Sequence, residues 1–316
     1  MGTPGINPTL RRLGTWVDTS IAPRPLRRTG IVIVRTGRSF YDDQMTHHAA
    51  ALTYYSLLSL FPAALVALSV LGLLGQYPST YNAIMDYARG VAPRSVVVPL
   101  DSSLRAALQA KGTAATALVI SVVVALYGTT GVLEAARRAL NVVFRAPSGR
   151  SFVRRKLIDI GSTVVLMTLT LLSLVLVFVG GRFAEDLLGF LGLGPTAATA
   201  WNILRWPAAV LAAIGVFAYI YYVTPDVRHR SVRGIMPGAL AGVMLWLAAS
   251  YALSVYLSNI PSVGALYGSF ASAILLVGWL WLTNVALLFG AELNAAIERT
   301  GDVAADAAPA ATLAPR

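Results

Sequence analysis

The stretch GIMPGALAGVMLWLAASYALSVYLSNIPSVGALYGSFASAILLVGWLWLTNVALLFGA, residues 234–291, runs for 58 positions without one Asp, Glu, Lys or Arg. A helix crosses a hydrocarbon core about 30 Å thick with about 20 apolar residues. The stretch is too long for one crossing, and the turn-like Ser258-Asn259-Ile260-Pro261-Ser262 divides it into two of ordinary length. It is apolar all round, whereas the strands of a membrane barrel alternate at every second residue. It therefore reads as two membrane helices joined by a short turn.

Working outward, residues 44–85, 113–133, 160–181 and 206–225 are also free of charge. The first of these runs holds one span before the polar Gln76-Tyr77-Pro78-Ser79-Thr80. Six spans follow, near 49–75, 113–133, 160–181, 204–224, 235–257 and 268–291. Composition agrees. The chain is 56% apolar and 12% charged, with mean hydropathy +0.67, against about 45–50% and about 25% in soluble domains. So little charge does not cover a water-facing surface of this size. The predicted fold is all-α, a polytopic membrane protein of six transmembrane helices with additional amphipathic interfacial helices.

The net charge of +11 is arranged by side. Segments between spans alternate between rich and poor in Lys and Arg, with 19 on the side shared by both termini and 6 on the other. By the positive-inside rule both termini are cytoplasmic. The basic side then also faces anionic lipid headgroups, the expected partners. Residues 1–48 read as a basic cytoplasmic segment with an amphipathic helix, 49–299 as the membrane domain, and 300–316, rich in Ala and Pro, as a disordered tail. Before residue 44 the longest aliphatic run is 31–34, too short for a cleavable signal, so the first span is expected to act as an uncleaved anchor. Residues 76–112 predict two short helices on the outer surface. Residues 134–159, with Arg137, Arg138, Arg145, Arg150, Arg154, Arg155 and Lys156 among apolar side chains, predict a basic interfacial stretch on the inner side.

The chemistry available is narrow. Zero cysteines exclude a disulfide scaffold, a thiol nucleophile and a thiolate metal site. The three histidines are His47, His48 and His229, and the first two, adjacent on a helix, point about 100° apart. No His-Glu-x-x-His run, Walker A loop or Gly-x-Ser-x-Gly elbow is present. The expectation is no enzyme, no cofactor, no metal and no nucleic-acid partner. A homo-oligomer remains open.

Three blocks of sequence carry a family resemblance. The first is His48-Ala49-Ala50-Ala51-Leu52-Thr53-Tyr54-Tyr55-Ser56-Leu57-Leu58-Ser59-Leu60-Phe61-Pro62. The second is Tyr222-Val223-Thr224-Pro225-Asp226-Val227, followed by Pro237-Gly238-Ala239 and Leu245-Trp246. The third runs from Tyr267-Gly268-Ser269 through Trp279-Leu280-Trp281 to Leu288-Phe289-Gly290-Ala291-Glu292-Leu293-Asn294. In order and spacing these resemble the YihY/virulence factor BrkB family, although Ser231 stands where that family's pattern would place an aromatic residue. The resemblance implies a multi-pass protein of the bacterial inner membrane with six helices and cytoplasmic termini. It also implies an association with serum resistance and envelope-lipid transport. The name ribonuclease BN has been attached to the same family.

Candidate pathway or gate residues are then the polar groups on spans and at their inner ends. They are Tyr54, Tyr55, Ser59 and the kinking Pro62 on span 1, Tyr222 and Asp226 at the end of span 4, and Asn284 on span 6. At the cytoplasmic mouth they are Glu134, Arg137, Arg138, Glu292 and Asn294, with an Arg of span 2 expected to meet Glu292 across the bundle. Hydroxyls and amides of this kind can line a headgroup groove or simply bond helix to helix. Function is read as transport or flipping of lipid or another envelope amphiphile. The alternatives are a non-transporting scaffold for envelope assembly and, third, a membrane-embedded enzyme or ribonuclease. A sideways cavity would favour the first and a solid bundle the second.

Overall fold

The structure, a computed structural model, describes residues 24–74, 78, 81–82, 85–86, 89, 94–109, 111–146, 151–178, 195–227, 231–259 and 270–312. Among these residues the regular structure is entirely helical. Eight helices are α1 (Arg24–Asp42), α2 (Met45–Leu74), α3 (Arg94–Gln109), α4 (Lys111–Val143), α5 (Phe152–Phe178), α6 (Pro195–Val223), α7 (Val232–Asn259) and α8 (Phe270–Thr312). Long uncharged runs leave the backbone no water to bond, and a helix satisfies it internally. Among the described residues, three stretches are long and apolar enough to cross a membrane: Thr199–Val223, Arg233–Leu257 and Ala273–Thr300. Helices α2, α4 and α5, with 30, 33 and 27 residues, also exceed the needed length. Large apolar side chains face outward along the helices, Val119 and Val123 on α4, Val164 on α5, Leu211 on α6 and Met244 and Tyr251 on α7 among them. A belt of this extent is a surface for lipid.

Six helices close into a ring. Consecutive pairs pack most closely: α2 with α4, α5 with α6, α7 with α8. Helix α6 then meets α7, α8 meets α2, and the joint between α4 and α5 is the loosest around the ring. Helix α1 lies against α8, and α3 against α2. The apolar core draws Met45, Ala49 and Leu52 from α2, Ala136, Ala139 and Leu140 from α4, Phe217 and Tyr221 from α6, Ala239 and Val243 from α7, and Leu288 and Ala291 from α8. All five segments lie at one end of the ring, where α2 and α7 begin and α4 and α6 end. Among the described residues α5 gives this core nothing.

The tightest crossing is between α7 and α8. A Cβ on Gly238 would collide with the Gly290 carbonyl and the Asn294 amide, and one on Gly290 with the Gly238 carbonyl and the Tyr221 hydroxyl. The two backbones touch there because neither residue has a side chain. Pro237, inside α7, brings no N–H to its own turn. The Asn294 amide serves that turn, accepting from Gly238 N–H at 2.7 Å and donating to the Ile235 carbonyl at 2.9 Å. One turn on, the buried Tyr221 hydroxyl donates to the Leu287 carbonyl at 2.5 Å. Farther along the pair, Trp246 donates to Thr283 and Trp279 to Ser250.

The structure redraws one expectation. Residues 134–159 are not a separate interfacial stretch. Helix α4 continues to Val143 and α5 begins at Phe152, because charges of this segment find partners inside the ring. The chain reverses at Arg145, a non-glycine residue at φ 49°. There Ala146 N–H donates to the Asn141 carbonyl and Arg145 N–H to the Val142 carbonyl, a Schellman cap. Helix α8 runs to Thr312. In the outer segment 76–112 the second expected helix is α3. Much of the first lies outside the described residues, and Tyr81 there accepts from Arg105 and donates to Asp101 of α3.

Adding a methyl group at the α7–α8 crossing tests this geometry. Gly238→Ala and Gly290→Ala are each expected to destabilise the protein by about 1–3 kcal/mol, read as a lower thermal midpoint in detergent. Gly278→Ala, where nothing lies within 4 Å, is expected to leave the midpoint unchanged or raise it. Equal midpoints for all three variants would remove the crossing from its central place.

Candidate functional site

Glu134, Arg137 and Arg138 lie three and four residues apart on α4, on neighbouring faces. The structure divides them. Arg137 is only 3% exposed and turns toward α5, where Nη2 donates to Asp159 Oδ1 while Nη1 donates to Glu134 Oε2. Arg138 stays exposed, its Nε 3.3 Å from Glu134 Oε1. Asp159 is buried as well, so two opposite charges have left water together at the joint that apolar packing does not fill. Such a pair holds only when its geometry is close, and losing either partner strands the other.

Beside this pair a pocket of about 490 Å³ opens between α2, α4 and α5. Its polar lining is Tyr55, Thr130, Glu134, Arg138, Arg155, Lys156 and Asp159, with Leu58 and the small Gly128 and Gly131 completing the wall. Gly131 makes room for the Tyr55 ring, since a Cβ there would stand 2.8 Å from Tyr55 Cδ1. The Tyr54 and Tyr55 rings meet edge to face at 5.3 Å. Arg138 and Lys156 are exposed, so the pocket is open at its rim. The Arg155 Nε is buried without a hydrogen-bond partner. Three cations line the pocket against two carboxylates, both of which are already held by Arg137, and this leaves the pocket donor-rich toward an anion.

The remaining candidates fall elsewhere. Asn284 donates to Thr53 Oγ1 at 3.2 Å, tying α8 to α2, and Thr53 donates to the Ala49 carbonyl. Asn294 serves the turn at Pro237. Asn141 and Asp226 exchange two bonds, Asp226 N–H donating to Asn141 Oδ1 at 2.9 Å and Asn141 Nδ2 to Asp226 Oδ2 at 3.2 Å. Ser59 donates to the Ser56 carbonyl, and Tyr222 faces outward. The helix continues through Pro62, whose side chain lies outside the described residues. The span-2 arginines do not meet Glu292, because Arg137 is taken by Asp159. Glu292 is fully buried, and neither carboxylate oxygen has a hydrogen-bond partner. The charges whose fields reach it are Asp43, Arg299 and Arg145. Arg299 itself donates to the Val143 carbonyl at the end of α4. Burial holds the His48 imidazole below its ordinary range, and His47 pushes it the same way. His229 lies outside the described residues.

Asp159, Arg155 and Lys156 enter the site from the structure. The sequence places Arg155 and Lys156 in a basic interfacial stretch and does not single out Asp159. The available signal was its place as the last charge before the uncharged run 160–181, one helical turn beyond Arg155 and Lys156.

A ring of long apolar helices with an outward apolar belt defines a helical membrane protein. The chain belongs to the virulence factor BrkB family, whose model matches residues 36–314. It is 28% identical over 254 residues to the ribonuclease-like protein YfkH of Bacillus subtilis, covering 79% of this chain and 89% of that one. It is 28% identical over 262 residues to a UPF0761 membrane protein of Pseudoalteromonas translucida, covering 81% and 82%. A UPF0761 membrane protein of Xanthomonas oryzae is 26% identical over 256 residues, 81% of this chain, which spans 58% of that relative's length. No solved structure matches the chain.

The buried pair gives a sharp test. Asp159→Asn is expected to cost about 3–5 kcal/mol by stranding the Arg137 charge. Arg137→Met with Asp159→Leu is expected to recover most of that loss, because both charges leave together. Glu134→Gln, at a half-exposed partner, is expected to cost less than 1 kcal/mol or so, as about 0.3–0.5 kcal/mol is usual for such helix pairs. Thermal unfolding in detergent reads all three, and an additive double variant would show that the two side chains are not coupled.

Proposed function

We propose that the chain is a multi-pass protein of the bacterial inner membrane, with six spans and cytoplasmic termini, that moves an anionic amphiphile between leaflets. The observation that carries this reading is the donor-rich pocket at the loosest joint of the ring. A headgroup phosphate fits Arg155, Lys156 and Arg138 in charge and donor geometry, while acyl chains stay in the bilayer beside exposed Leu58 and Ile160. A solid bundle serving as an envelope scaffold needs no such opening. The ribonuclease-like name of the Bacillus relative does not enter the proposal. Three histidines, two of them adjacent, are a poor ligand set for a two-metal hydrolase.

Topology supports the same placement. The 19-to-6 distribution of Lys and Arg supports a pocket on the cytoplasmic side, facing the anionic leaflet. Reporter fusions at Gln109 and Ser262 are expected to report the outside, and fusions at Gly149 and Thr312 the inside. An outside signal at Gly149 would overturn the six-span arrangement.

Transport is read by lipid scrambling in proteoliposomes, with uptake of a soluble solute as control. Arg155→Gln with Lys156→Gln is expected to slow movement of a labelled anionic lipid about tenfold, the weight of one charge-assisted hydrogen bond of about 1.5 kcal/mol. Solute uptake should stay at background in both proteins. Scrambling by the wild type no faster than by empty liposomes would refute the transport reading.

A further inference from the structure

Resting on the amphiphile reading, a second pocket bears on where that amphiphile goes. It measures about 260 Å³ and lies between α5 and α6, lined by Leu176, Ala197, Trp201, Leu204, Arg205 and Ala208. Leu176 stands 17 residues along α5 from Asp159, about 25 Å at 1.5 Å per residue. That is close to the thickness of the hydrocarbon core, about 30 Å. The two pockets therefore border the same helix near opposite faces of the membrane.

Arg205 is the single formal charge in a lining otherwise made of aliphatic groups and one indole. Its Nε is buried and has no hydrogen-bond partner. Its guanidinium carbon lies 5.1 Å from the centre of the Trp206 ring, which holds the fork by cation–π contact. An arginine that only anchors a helix end extends its head into water and headgroups. Here the inner nitrogen of the fork is kept out of solvent. Among the described residues no carboxylate pairs with it, in contrast to Arg137, which has Asp159 and Glu134.

We propose that this pocket is a binding site for an anionic lipid of the outer leaflet. Arg205 takes the headgroup phosphate, and Leu176, Ala197, Leu204 and Ala208 take the first carbons of the acyl chains. The charge selects an anion. The apolar lining, set in the stretch Thr199–Val223 that is apolar enough to cross a membrane, selects one carrying a hydrocarbon tail over free phosphate. Helix α5, bordered by a basic pocket at each end, is then the rail between the two leaflet sites.

The test uses the full chain in phosphatidylcholine vesicles doped with photoactivatable phosphatidylglycerol or photoactivatable phosphatidylcholine. Mass spectrometry reads label on residues 195–210 separately from label on residues 151–160. In the wild type the phosphatidylglycerol probe is expected to label 195–210 several-fold more than the phosphatidylcholine probe. Arg205→Gln is expected to abolish that preference there and leave labelling of 151–160 unchanged, while Arg205→Lys keeps part of it. Excess inorganic phosphate should not compete. Equal labelling of 195–210 by the two probes in the wild type overturns the site without any variant, and so does a preference that survives Arg205→Gln. A preference at 195–210 with none at 151–160 would leave this site standing and overturn the inner pocket. A preference at 151–160 alone would do the reverse.

Discussion

Contact between the backbones of α7 and α8 at Gly238 and Gly290 sets the geometry of the end of the ring that holds the apolar core. Lipid supplies no hydrophobic drive between helices, so association depends on close fit and on polar groups that find each other. At this crossing both are present. The missing side chains bring the helices together, and their closeness lets Asn294 reach the turn at Pro237 and Tyr221 reach the Leu287 carbonyl. Gly242 extends the same line, with the Phe217 ring and the Ala286 carbonyl about it. Three helices are thereby fixed in one register, and the core formed with α2 and α4 is packed against them.

Helix α5 is attached on different terms. It packs along α6 and shares a hydroxyl bond with it, Tyr219 to Ser162 at 3.3 Å. On its other side, toward α4, the Arg137–Asp159 pair takes the place of core packing. A joint held by one desolvated charge pair leaves room beside it, and the pocket occupies that room. The placement of donors around the pocket follows from the same turn of α5, which brings Arg155 and Lys156 to the rim while Asp159 faces inward.

Much of this was legible in the sequence. The charge-free runs give the long helices, and Gly238-x-x-x-Gly242 signals a close approach. Individual polar residues were harder to read. Asn294 and Asn284 look like pathway groups when considered alone, since a sequence shows what an amide is but not which unsatisfied backbone stands opposite. Glu134, Arg137 and Arg138 share one turn of α4, yet the partner of Arg137 could not be read, because its carboxylate lies on the next helix. A non-glycine residue at φ 49° takes the cap position, so the local signal for the helix end is the Pro147-Ser148-Gly149 that follows rather than a capping glycine. Glu292 was legible as unusual, and its burial without a hydrogen-bond donor sharpens that.

The ring also has an order of completion. Two buried groups in earlier helices are served from α8, the Tyr221 hydroxyl by the Leu287 carbonyl and the Pro237 turn by Asn294. During synthesis each of these polar groups enters the bilayer before its partner has been translated. The nascent chain is therefore held in an unsatisfied state until the last helix inserts, and it closes as a unit. A chain cut short before residue 270 would leave hydrogen bonds unmet at both places in the bilayer, so the helix that arrives last completes the bundle.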